Sequence, residues 1–97
     1  MVIDLKKGEE ILGFSKIEIC RHAQDRMKQR NVSLAEIMKA IKMPDRTGLP
    51  TQPNRMRVRW NRTTLWAVDI VYDTIPDRVR VITVIVVKRP LVDRKKT

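Results

Sequence analysis

Residues 55–88, "RMRVRWNRTTLWAVDIVYDTIPDRVRVITVIVVK", decide the fold, because within them the hydrophobic period is two. In "RMRVRWNR", Met56, Val58 and Trp60 alternate with Arg55, Arg57 and Arg59, so an extended chain has one apolar face and one row of guanidiniums. "TLWAVDIVYD" sets Trp66, Val68, Ile70 and Tyr72 against Leu65, Ala67, Asp69 and Val71, again at strand period. "DTIPD" supplies a turn. "VRVITVIVVK" is rich in β-branched residues, with Thr83 its one uncharged polar residue, and is expected to be the most buried strand and the central one.

Upstream of this region the period is helical. From Cys20 to Arg30 there is no Gly or Pro, and Cys20, Ala23 and Met27 form one apolar stripe. Asn31 suits a left-handed C-cap. Ser33 and Glu36 form a capping box, each side chain satisfying a backbone N–H that the helix leaves free. Leu34, Ile37, Met38 and Ile41 continue the second helix until Pro44. "PDRTGLPTQPN" is then an irregular connection. Residues Val2 to Phe14 fit a short strand or a helix turn around Gly13 equally well. The expectation is one α+β domain over 1–97. A helical hairpin at about 20–43 packs on a three- to four-stranded antiparallel sheet at about 55–88, and a basic tail, 89–97, follows.

Composition narrows the function. Across 97 residues, 21 Lys and Arg face 11 Asp and Glu, a net charge of +10, which favours polyanions and nucleic acid first among them. Residues 88–97 hold five bases and one acid, so most of the excess belongs to the domain body. One cysteine excludes an internal disulfide, and one histidine leaves no Cys/His cluster at metal spacing. A cytoplasmic setting with neither metal nor cofactor is expected. The first ten residues mix acids and bases, unlike a signal peptide, and no apolar run approaches the ~20 residues that cross a bilayer.

Two arginine sets are candidate sites. Arg55, Arg57 and Arg59 would stand about 6.6 Å apart along a strand, a spacing that suits phosphates, although such a row also serves simply to keep a sheet face soluble. Guanidinium binds phosphate bidentately. Asp69, on the same face, is read as neutralising that row. Arg80 and Lys88 complete the sheet's basic candidates. On the first helix, His22 lies well away from the apolar stripe, with Arg26 and Arg30 one and two turns on. His22 is also the one side chain whose ordinary pKa suits proton transfer near neutrality. Cys20, Trp60, Trp66 and Tyr72 are read as core residues first.

The run from His22 to Ser33, H-A-x-x-R-M-x-x-R-x-V-S, resembles the H-A-x-x-R-M-x-x-R-x-[IV]-[ST] signature of small uncharacterised bacterial and phage domains that are similar to RelE and BrnT-type toxins. The resemblance spans about residues 17–87. It implies a RelE/barnase-like fold and a metal-independent endoribonuclease of the mRNA interferase type, or an RNA-binding protein. His22, Arg26 and Arg30 would then form the catalytic group, with RNA as substrate and an acidic antitoxin as partner. The chain differs from those toxins in lacking a second histidine and a helix after the last strand. The alternatives are a non-enzymatic nucleic-acid or ribosome-binding module, and a phage protein that binds an acidic host protein.

Overall fold

The computed structural model describes residues 1–89. Seven elements follow one another: β1 (Val2–Asp4), β2 (Lys16–Ile19), α1 (Arg21–Arg30), α2 (Leu34–Lys42), β3 (Met56–Asn61), β4 (Trp66–Ile75) and β5 (Arg78–Lys88). The strands form one five-stranded sheet in the order β1-β2-β5-β4-β3, with β2 parallel to β5 and the other pairings antiparallel. This corrects the expected architecture. The helical hairpin is not N-terminal and the sheet is neither three- to four-stranded nor wholly antiparallel, because two strands precede the helices. The basic tail lies, apart from Arg89, outside the described residues.

Of the two added strands, β1 lies in the segment that allowed two readings and β2 lies just after it, in residues given no element in the sequence reading. In β2, Ile17 and Ile19 are fully buried while Lys16 and Glu18 are not, a period-two pattern only four residues long. β1 pairs with β2 through Val2↔Glu18, Ile3↔Ile17 and Asp4↔Lys16. Between them the chain reverses at Leu12 and Gly13, both at positive φ, which drops Ile11 fully into the core.

The hairpin itself is built as its sequence dictates. Asn31 is left-handed (φ 54°, ψ 48°) and ends α1. Ser33 Oγ accepts from Glu36 N at 3.2 Å, and Ser33 N donates to Glu36 Oε1 at 2.9 Å. Cys20 is the residue before α1 and not a member of its stripe; the helix contacts the core through buried Ala23 and partly buried Met27. α2 buries Ile37, Ala40 and Ile41. Both helices join Ile17, Ile19, Val58, Val68, Ile70, Val79, Val81 and Val84 in one core, so they cover the same sheet face.

β3, β4 and β5 form a meander. β5 is central in the strand order, but β4 is the more deeply buried of the two, with six consecutive buried residues from Ala67 to Tyr72. The reason is topological. β4 has a strand on each side from Ala67 to Tyr72, the same six residues that are buried, whereas β2 pairs with β5 only from Val79 to Val81. The free edge of β3 is closed by the incoming loop, where Asp45 N and Arg46 N donate to Arg59 O and Leu49 N donates to Arg57 O.

If β2 is a sheet strand and not a surface loop, Ile17→Ala should cost about 2–5 kcal/mol in urea unfolding, as a fully buried large-to-small change does. A loss well under 1 kcal/mol would contradict the placement.

Candidate functional site

The two arginine sets lie on opposite faces of the sheet. Val58 and Trp60 face the helices, so Arg57 and Arg59 point the other way, where the register sets Arg59 beside Asp69. Asp69 is 0 % exposed. Its carboxylate accepts from Arg57 Nε (2.9 Å), Arg59 Nε (2.7 Å) and Arg59 Nη2 (2.9 Å), and Arg57 Nη2 lies 2.7 Å from Oδ2. One buried anion thus holds two cations. The bond to Asp69 raises the Arg59 pKa above its ordinary value. These guanidiniums are paired within the fold, in keeping with the reading of Asp69 as a neutralising residue.

The other sheet candidates divide similarly. Arg80 forms a two-pronged pair with Asp73, Nε to Oδ1 at 3.1 Å and Nη2 to Oδ2 at 2.9 Å, which raises its pKa. Arg55 donates to Gln52 Oε1 at 2.8 Å in the exposed connection before β3. Lys88, exposed at the end of β5, is the register partner of Trp66.

On the helical face the picture differs. His22, Arg26 and Arg30 follow one another at four-residue spacing on α1, forming a stripe. His22 is exposed in the first turn. Arg26 and Arg30 line a cavity of about 260 Å³ with Thr83, Val84, Ile85 and Val86 of β5. Arg30 and Val86 also border a second cavity, of about 340 Å³, with Arg62, Thr63 and Trp66. The two form one groove. Among the described residues neither Arg26 nor Arg30 has a carboxylate within ion-pair distance; the one side-chain contact is Arg26 Nη1 to Gln29 Oε1, a long 3.5 Å.

Two residues in this groove escaped the sequence reading. Trp66 is 44 % exposed, at the start of β4, and is not a core residue. Its position at the strand's end was the available signal. Arg62 Nη2 donates to Asn31 O at 2.5 Å and Nη1 to Arg30 O at 3.4 Å, while Nε lies 2.7 Å from Glu36 Oε2. It closes the C-terminus of α1 and fixes where Arg30 stands. No local pattern announces that contact. Trp60, by contrast, packs on the core with Lys39 Nζ 5.4 Å from its ring centre.

Of the two residues weighed for proton transfer, His22 is exposed on α1 and Tyr72 is not. Tyr72 lies buried in the core, and burial pushes its hydroxyl pKa up. Among the described residues there is no group of three or more His, Cys, Asp or Glu that could hold a metal ion. No helix among them is long and apolar enough to cross a membrane.

Residues 19–86 match the family model DUF4258, a domain of unknown function, and the chain belongs to that family. This agrees with the expectation of an uncharacterised family, and does not extend to RelE or BrnT-type toxins. Neither the curated proteins nor the solved structures include a significant match.

Asp69→Leu should cost roughly 3 kcal/mol, the lower end of the range for breaking a buried pair, since both guanidiniums still reach water. Adding Arg57→Met and Arg59→Met should recover most of it. Denaturant midpoints of the single and triple variants check this. Equal losses in both would contradict the assignment of these arginines to Asp69.

Proposed function

We propose that this protein binds single-stranded RNA in the groove between α1 and β5, with Arg26 and Arg30 on phosphates and Trp66 as a stacking platform. The observation that carries the reading is the pairing of two guanidiniums that have no carboxylate partner among the described residues with an exposed indole in one groove. Guanidinium forks fit phosphate oxygens, and base stacking on an aromatic ring tolerates any sequence. The net charge of +10 attracts such a ligand over distance. Lys88, beside Trp66 in the register, adds a further cation at the groove's end. An open groove suits a single strand, whose bases are free to leave one another.

A second reading makes the same groove an endoribonuclease site of the RelE/BrnT-like toxin kind. His22 supports it, standing exposed on the stripe that carries Arg26 and Arg30, within the motif that resembles those toxins. Cleavage through the ribose 2′-hydroxyl needs a base for that proton, cations for the phosphorane and an acid for the departing 5′ oxygen. His22 and the arginines supply the first two. The buried Tyr72 is poorly placed for the third. Binding is therefore the reading better supported, and an acidic antitoxin belongs to the second.

Binding of a labelled single-stranded RNA should weaken with salt. In the double variant Arg26→Ala/Arg30→Ala the log–log slope should flatten by about 1.4, at ~0.7 per lost phosphate contact. Trp66→Ala should weaken binding by about 5- to 150-fold, and Arg55→Ala should change neither quantity. If Arg55→Ala is the damaging variant, the groove is the wrong surface. For the second reading, RNA should be cut in EDTA by the native protein and left intact by His22→Ala; equal cutting by both removes it.

A further inference from the structure

β5 has eleven residues but a neighbour on the β2 side for only part of its length. β2 pairs with Val79 to Val81, Cys20 N donates to Val81 O at 3.2 Å, and the chain then leaves the sheet to become α1. Beyond that point Arg89 N donates to Leu65 O at 2.7 Å, which sets the phase of the β4 side of the ladder. By antiparallel alternation Val87, Ile85 and Thr83 bond to β4, and the main-chain groups of Val84, Val86 and Lys88 point away from it. Ile82 has no partner across the ladder, and this bulge shifts the alternation so that Val81 and Val84 present their peptide groups to the same side. Among the described residues no backbone or side-chain group bonds to those outward groups of Val84 and Val86.

This edge lacks the usual protections. Edges are blunted by charge, proline, shortness or a covering loop. β1 is three residues long, and the β3 edge is covered by residues 45–49. From Ile82 to Val87 the sequence "ITVIVV" contains neither charge nor proline, and Ile85 and Val87 on the outer face are only partly buried. The groove alongside is rimmed by Arg26 and Arg30.

We infer that the Thr83–Lys88 edge of β5 accepts an extended acidic segment of a partner protein as an added strand, continuing the line of β2. Main-chain bonds to Val84 and Val86 would give affinity, and alternate side chains would give specificity. On the helical face the segment's acids meet Arg26 and Arg30; on the other face its apolar residues lie beside Ile85 and Val87. A second copy of this chain is disfavoured, since two such edges would bring Arg26, Arg30 and Lys88 against their own images. The chain's own residues 90–97, three bases and one acid, carry the wrong sign. The added strand does not require RNA binding, but it would occupy the same two arginines and so exclude RNA from them.

The test uses the full chain and a labelled peptide of alternating valine and glutamate, without RNA. Anisotropy should show saturable binding, weakened at least tenfold when the peptide's glutamates become lysines or when its alternate amides are N-methylated. Val86→Pro removes an outward N–H at an edge position that tolerates proline, and should weaken binding similarly. Amide exchange on the native chain makes the test independent of that variant's folding: Val84 and Val86 should exchange freely alone and slow on adding peptide. Three outcomes would overturn the inference. These are binding indifferent to N-methylation, protection elsewhere on the sheet, and Val84 and Val86 amides already slow in the chain alone, which would mean that a second copy or the chain's own tail fills the edge.

Discussion

The length mismatch between β5 and β2 governs most of this molecule. β5 runs for eleven residues through the middle of the sheet, while β2 follows it only from Val79 to Val81. Where β2 stops, the chain must leave the sheet, and it does so directly into α1, with Cys20 as the connecting residue. The helix then lies beside the second half of β5, with Arg26 and Arg30 next to Thr83–Val86 and Ala23 and Met27 turned to the core. Its polar stripe of Arg26 and Arg30 falls alongside the strand's unpaired edge. A groove follows from this geometry without any loop being shaped for it.

A second constraint sorts the charges. A strand with arginine at every other position has to neutralise that row or lose stability to self-repulsion, and buried Asp69 does so for Arg57 and Arg59. Asp73 does the same for Arg80, and Glu36 for Arg62. Arg26 and Arg30 have no such partner among the described residues. Arginine number therefore says little about where a polyanion binds; what matters is which guanidiniums the fold has left unspent.

The parts legible in the sequence were those set by local chemistry. Asn31, Ser33 and Glu36 define the hairpin because caps act within one turn of the chain. The runs of 55–88 define the meander because the first two alternate over six or more positions and the third is β-branched almost throughout. Ile17 and Ile19 gave too short a pattern to separate β2 from a loop, and its parallel pairing with β5, some sixty residues on, has no local signature. Of the site, the His22, Arg26 and Arg30 stripe was readable from helical spacing. That Arg57 and Arg59 belong to the opposite face depended on which side the helices cover. Trp66 looked like core because its alternation with Val68 and Ile70 is perfect; it stands at the first position of β4 and is exposed there.

α1 and the second half of β5 form the proposed binding surface, and the Asp69 face holds paired charges. The most direct test is a map of backbone amide chemical-shift changes as single-stranded RNA is added to the native protein. Shifts are expected to concentrate at Arg26, Arg30, Trp66, Val84 and Val86, with Arg57, Arg59 and Asp69 unmoved. Shifts centred on Arg57, Arg59 and Asp69 would contradict this placement of the binding surface.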